Sequence, residues 1–264
     1  MAAATFGRLK VDFPRSRRAG ALPRMLVFET RIMKILLSCV VLALELCHSA
    51  PAIAADKLPF ANGEVLVYEI TWPSGLSLGE ARFTASSGAA GWNFQAQIQA
   101  SLPTMEIRDE YRSSTDASLC STSFEKDARH GKRIVKEEVS YDQQKHLAHR
   151  KTLEGGHSEV QITPCVRDGL AFLYALRHEL GQGRVPPPDD INFGAQYQVS
   201  LTYAESVEVA VGDEHVKADR MLVDLTGPAS HHSFEILVGK DSARTPVLMR
   251  VPFDLGTFTL KLVK

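Results

Sequence analysis

Paired histidines are where metal or acid–base chemistry would first show in this chain, and two clusters exist: His146-Leu147-Ala148-His149 and His231-His232. A metal needs three or four converging ligands. On a strand, positions three apart face opposite ways, and Asp142-Gln143-Gln144-Lys145 just upstream reads as a hairpin turn, so His146 and His149 do not converge. His231-His232, lying between Pro228 and a strand, reads as a solvated loop. The adjacent carboxylates Glu137-Glu138 and Asp189-Asp190 diverge for the same geometric reason and read as hydrated surface. The chain carries no H-E-x-x-H and no phosphate-cradling glycine loop. The expectation is therefore no catalytic residue, no metal and no cofactor. A hydrolase with an unmarked site is kept as an alternative, and its sign would be a histidine and a carboxylate within hydrogen-bond reach in a cleft.

Arg177 and the cysteines carry more information. Arg177 closes a largely apolar segment, so its guanidinium either snorkels to the rim, caps the helix C-terminus, pairs with a carboxylate such as Asp168 or Asp241, or meets an anionic ligand at the rim. Two of the four cysteines, Cys39 and Cys47, fall in the N-terminal 54 residues, which leaves Cys120 and Cys165. If these two are bonded the pairing is unique; otherwise they are two separate buried thiols. Neither sits in a C-x-x-C.

The leader says where the chain goes. From Met33, Lys34 supplies a cationic start, Ile35 to Leu44 an apolar run and Ala52-Ile53-Ala54 a small-residue cleavage site, which together read as a secretory signal peptide over 33–54. The run is too short to span a bilayer. Residues 1–32 then read as an over-extended start or a basic leader, and the chain is expected to be periplasmic or secreted after cleavage near Ala54. Residues 1–34 carry eight Lys/Arg and two Asp/Glu, and 35–54 only Glu45, so the whole-chain charge of −1 leaves −6 for 55–264. The 22 basic and 28 acidic side chains of that part are interspersed without a basic stripe, which excludes a nucleic-acid partner. No transmembrane helix is expected in the mature chain, which is read as a monomer.

The elements that would position any site are mostly strands. In Trp92-Asn93-Phe94-Gln95-Ala96-Gln97-Ile98-Gln99-Ala100-Ser101 every second side chain is apolar, the pattern of a half-buried strand. Similar alternation marks 66–72, 79–85, 197–203, 207–211, 221–225, 234–238 and 258–262. Short links through Ser87-Gly88, Gly155-Gly156, Gly212-Asp213 and Gly227-Pro228 imply antiparallel neighbours. Residues 166–180 break the rhythm: Leu170, Leu173, Leu176 and Leu180 recur at helical spacing while Phe172 and Tyr174 point elsewhere, giving a helix apolar over much of its girth. Such a helix needs enclosure. Residues 55–264 are read as one mainly β domain, a single curved antiparallel sheet or open β-barrel wrapped around that helix, with a two-sheet sandwich as the alternative.

Three ordered stretches resemble a family of exported bacterial proteins, the domain of unknown function 3108. They are Pro59-Phe60-Ala61-Asn62-Gly63-Glu64 with Leu66, Tyr68, Trp72, Leu78 and Gly79-Glu80-Ala81; Asp168-Gly169-Leu170 through Tyr174-Ala175-Leu176-Arg177; and Asp241-Ser242-Ala243-Arg244-Thr245-Pro246-Val247 with Leu255-Gly256 and Leu260. The resemblance implies a β-rich half-barrel reminiscent of periplasmic lipoprotein carriers.

A curved sheet with one apolar face suits an exported binding or carrier module for a lipid, a lipoprotein or another cell-envelope component. The expected walls are Leu66, Tyr68, Trp72, Phe94, Ile98, Phe172 and Tyr174, with Arg177 at the rim. The alternative of a different kind is an envelope scaffold that binds a protein through its sheet edge.

Overall fold

Because successive strand side chains alternate between faces, a run of amphipathic strands closed by short turns builds antiparallel sheet with one apolar side. The computed structural model describes residues 57–103, 105–228, 230–253 and 256–263. The leader, signal segment and cleavage point, 1–54, lie outside the described residues. Lys57–Lys264 forms one unit.

Eight strands come first: β1 (Glu64–Thr71), β2 (Ser77–Ser87), β3 (Trp92–Leu102), β4 (Met105–Thr115), β5 (Ser121–His130), β6 (Arg133–Asp142), β7 (Leu147–Thr152) and β8 (His157–Gln161). The short β9 (Arg167–Asp168) leads into helix α1 (Gly169–Gly181), and β10 (Asp189–Asn192), β11 (Gln196–Val211), β12 (Glu214–Thr226), β13 (His231–Gly239), β14 (Pro246–Phe253) and β15 (Gly256–Leu262) follow. All fifteen strands belong to one open sheet, ordered β8-β7-β6-β5-β4-β3-β2-β1-β15-β14-β13-β12-β11-β10-β9. It consists of two meanders whose first and last strands meet, with Tyr68 opposite Leu262 and Ile70 opposite Leu260.

Four sequence expectations are corrected. The helix starts at Gly169 rather than 166, because the Asp168 carboxylate takes the Leu170 and Ala171 N–H groups and fixes the first turn there. One neighbour pair is parallel: β9 and β10, joined at Arg167–Ile191 and Asp168–Asn192, flank the helical crossover, which is long enough to return the chain in the same direction. The runs 197–203 and 207–211 are one strand, β11, with a bulge between Tyr203 and Glu205. Past that bulge Val207, Val209 and Val216 pack with Leu237, Val247 and Leu248, a small second core, on the opposite face from Ile236 and Val238. His231 and His232 open β13 rather than a loop, although both stay exposed.

The main core lies between the concave face and α1. Tyr68, Phe83, Phe94, Met221, Val223, Ile236 and Val238 meet Leu170, Tyr174, Leu176 and Leu180, with Phe172 and Leu173 partly buried against them. Each fully buried side chain of this kind contributes roughly 1.5–3 kcal/mol. Phe94 stacks on Tyr174 at 3.9 Å between centroids, and Phe60 stands edge-on to both.

Two polar anchors fix the helix inside the sheet. At its start the fully buried Asp168 accepts Ser113 Oγ at 2.5 Å and Ser121 Oγ at 2.7 Å. In return Ser121 Oγ accepts the Asp168 N–H at 2.8 Å. The Cys120–Cys165 disulfide ties the turn between β4 and β5 to the lead-in of the helix, with Cα atoms 4.7 Å apart. One turn before the other end, Arg177 forms a bidentate pair with Glu64 at 2.6 and 2.7 Å and donates to the Ala243 carbonyl at 2.9 Å. Arg177 therefore pairs neither with Asp168 nor with Asp241, and it neither caps the helix nor reaches the rim: it is 1% exposed, so no ligand meets it in this arrangement.

Opening the disulfide in a Cys120→Ser/Cys165→Ser variant should lower the urea unfolding free energy by about 3 to 4 kcal/mol; an unchanged midpoint would show the staple to be idle. Burial holds the Asp168 carboxyl above its ordinary value, and the hydrogen bonds from Ser113, Ser121, Ala171 and Leu170 oppose it. A carboxyl raised in the native state favours folding most when protonated. That contribution is full below the unfolded value and is lost as pH rises through the native one. Asp168→Asn keeps a capping oxygen and does not titrate, so the stability advantage of the wild type should narrow between about pH 3 and about pH 7. Urea titrations at the two pH values measure this, and a gap that widens with pH would refute it.

Candidate functional site

Beyond the end of the helix the concave face changes character, and the strand register shows how. The rung nearest the helix runs Phe94, Ser113, Phe124, Val139, Arg150 across β3 to β7, and Phe124 and Val139 are buried under the segment carrying Ile162 and Val166. The next rung is Ala96, Tyr111, Lys126, Glu137, Thr152, then Ile98, Asp109, Ala128, Val135, then Ile107, His130, Arg133. These inward positions turn from apolar to charged within two rungs.

The charged rungs are built with defined partners. Asp109, 8% exposed, receives His130 Nε2 at 3.0 Å from each carboxylate oxygen, the Tyr111 hydroxyl at 3.1 Å and the Arg129 N–H at 3.2 Å. Burial and the Asp109 charge push the Tyr111 phenol well above its ordinary value, so the hydroxyl stays a donor. Lys126 Nζ lies 5.9 Å from the Tyr111 ring centroid and 5.5 Å from that of Phe193, close enough for cation–π attraction. Phe193, on the loop after β10, also lies 5.6 Å from Phe124. Glu137 is buried; one oxygen takes Arg150 at 2.8 Å and the other has no hydrogen-bond partner among the described residues. Between β5 and β6 a hollow of about 150 Å³ is lined by Lys126, Ala128, His130, Arg133 and Val135.

The residues singled out from sequence are distributed unevenly over these surfaces. Tyr68, Phe94 and Tyr174 are each 1% exposed and lock the helix to the sheet, the Tyr68 hydroxyl donating to the Pro246 carbonyl at 2.7 Å. Leu66, Trp72 and Phe172 are partly buried against the same core, Trp72 edge-on to Phe258. Ile98 alone stands on the rungs that reach the open, charged sector. His146 lies in the β6–β7 turn and His149 on β7, where it pairs with Glu159 at 3.2 Å. Glu137 and Glu138 diverge as expected, yet Glu137 points inward into an ion pair rather than into water. Asp189 similarly pairs with Arg167 at 3.1 Å.

Sequence reasoning missed Asp109, Tyr111, Lys126, His130, Arg133 and Glu137. The available signal was phase: Ile107, Asp109 and Tyr111 share one face of β4, so a carboxyl group occupies an apolar register position. A histidine and a carboxylate in a cleft, the sign set for a hydrolase, do occur here as His130 and Asp109; among the described residues the hydrogen bonds of His130 go to Asp109. Among those residues no three His, Cys, Asp or Glu converge on a metal position, and no helix is long and apolar enough to cross a membrane.

No curated protein matches this sequence. Among solved structures, a beta-barrel-like protein of domain of unknown function DUF1849 from Brucella abortus is similar at 9% identity with a TM-score of 0.56, covering 76% of this chain and 95% of that one. This likeness is one of fold, and it agrees with the open curved sheet. The profile described as "Protein of unknown function (DUF3108)" matches residues 67–263, from β1 through β15, so the resemblance noted in the sequence is established and the chain belongs to the DUF3108 family.

Proposed function

We propose that this protein is an exported, non-catalytic binding module that holds a lipid, a lipoprotein segment or another cell-envelope component against the uncovered sector of its concave face. The observation that carries this reading is partial coverage. The helix and the 162–166 segment bury the inner side of some strands, while Ile98, Ile107, Tyr111 and Val135 remain half-buried on β3 to β6 and Phe193 is 37% exposed beside Tyr111. Half-covered apolar side chains beside oriented polar groups are what an amphipathic ligand uses. The signal-like leader and the disulfide between Cys120 and Cys165 support an oxidising, exported setting, periplasmic or secreted.

A second reading is favoured by β8. It ends the sheet order, and all five of its residues are exposed, so its free edge suits an extended peptide of a partner protein.

The test is mass spectrometry of an organic extract from the exported, gently purified chain. Binding on the concave sector predicts a co-purifying amphiphile that Phe193→Ala loses, with affinity about tenfold weaker for loss of roughly one aromatic contact. A lipid-free extract, together with a protein partner displaced by Val160→Pro, would favour the edge reading instead.

A further inference from the structure

We infer that the hollow between β5 and β6 is an oxyanion site that takes a phosphate ester group, with Lys126 and Arg133 supplying charge and the His130 ring, held by Asp109, forming one wall. The inference rests on the binding sector proposed above and names the chemistry of its polar end.

Pairing sets the cations of this hollow apart from the others on these strands. On the same face Arg150 of β7 pairs with Glu137, and on the opposite face Arg108 pairs with Glu106, Arg112 with Glu110 and Glu125, and Arg129 with Asp127. Lys136 pairs with Asp127 as well. Arg133 has no ion-pair partner among the described residues, and Lys126 has only the Tyr111 and Phe193 rings. Two cations without an ion-pair partner among the described residues therefore face one hollow, on a protein whose part beyond the leader is net acidic.

Shape and orientation reinforce the charge. Ala128, 3% exposed, forms a small floor between Lys126 and His130 on β5, and Val135 stands opposite it on β6. The deepest position is thus occupied by a methyl group where a longer side chain would fill the space. His130 and Arg133 are cross-strand partners at the end of the hairpin, where Gly131 takes a positive φ of 59°. His130 is exposed but not free to turn, since both oxygens of the nearly buried Asp109 hold its Nε2, and Asp109 is itself held by Tyr111 and the Arg129 N–H. A guanidinium and an ammonium around a concave floor walled by a fixed ring suit the several oxygens of a phosphate, which Arg binds through paired N–H groups. The apolar side chains of the adjoining rungs lie where the rest of a phosphate-bearing amphiphile would extend.

Asp109 is a positioning residue in this scheme: it fixes the ring and does not touch the ligand. Calorimetry on the exported chain, with its disulfide intact, separates the sources of the phosphate. Glycerol phosphate probes the hollow alone, and a short-chain phosphatidylglycerol below its micelle concentration probes hollow and apolar sector together. The expected result is binding of both, tighter for the lipid, with Lys126→Ala and Arg133→Ala each weakening it about tenfold. Ala128→Leu, which leaves every charge in place, should abolish the glycerol phosphate signal by filling the floor, and circular dichroism checks that each variant folds. Asp109→Asn should weaken both ligands at unchanged stoichiometry, with partial retention that Asp109→Ala lacks. Equal binding of phosphatidylglycerol and an uncharged diacylglycerol, insensitive to Lys126→Ala and Arg133→Ala, would overturn the phosphate site while leaving the binding module intact. Absence of binding by every one of these probes, with a lipid-free extract, would overturn both.

Discussion

An α-helix with apolar residues around most of its girth has no stable position except inside something, and this requirement organises the whole fold. Gly169–Gly181 carries buried or half-buried side chains in every direction, so a flat sheet touching one flank would leave the others in water. Curvature answers the requirement, and the polar anchors decide where the helix stops. The Arg177–Glu64 pair illustrates the balance. Taking both ions from water costs several kcal/mol each, and the pairing repays it only with good geometry and additional hydrogen bonds. Both conditions hold: two parallel contacts at 2.6 and 2.7 Å, and the Ala243 carbonyl beside them. Because Glu64 begins β1 and Ala243 lies between β13 and β14, this pair joins the helix to both meanders near the seam where they meet.

The same helix is too small for the sheet it serves. Thirteen residues make a rod of about 20 Å, whereas fifteen strands at about 4.8 Å spacing measure roughly 70 Å across. Most of the inner face therefore needs another cover. The 162–166 segment covers part of β5 to β7, and it is held there by the disulfide and by the Gln143 side chain, which donates to the Ser121 and Val166 carbonyls. Where no segment reaches, on the far rungs of β4 to β6, the inward positions become charged. The polar sector is thus a consequence of the ratio between one short helix and a very wide sheet.

Legibility in the sequence follows the same division. Where strands face the helix, apolar phase is strict: the runs at 79–85, 92–101 and 221–225 fall within strands, and that at 66–72 overruns β1 by Trp72 alone. The cysteine pairing could take only one form, and the structure contains it. Residues 105–161 gave no alternating strand signal, because Asp109, Lys126, His130, Glu137 and Arg150 occupy inward positions that a pattern search expects to be apolar. The partner of Arg177 was hidden differently: Glu64 is 113 residues away, and only the closure of the sheet makes them neighbours. The helix start was misplaced by three residues, since the capping power of Asp168 depends on Ser113 and Ser121 from strands that were themselves unread.

Failure of the alternation rule and presence of the candidate site coincide for a physical reason. A sheet selected only to fold would carry Val, Thr or Ile at positions 109, 126 and 137, where they would gain burial and need no partner. Instead Asp109 and Glu137 are buried, and one oxygen of Glu137 has no hydrogen bond among the described residues. An unsatisfied buried polar atom costs roughly 1–3 kcal/mol, a sizeable share of the 5–15 kcal/mol that keeps a domain folded. Asp109, held by His130, Tyr111 and the Arg129 N–H, and Glu137, paired with Arg150, thus place polar contacts where apolar packing would serve the fold, and they adjoin the half-covered sector on which our proposal puts the ligand.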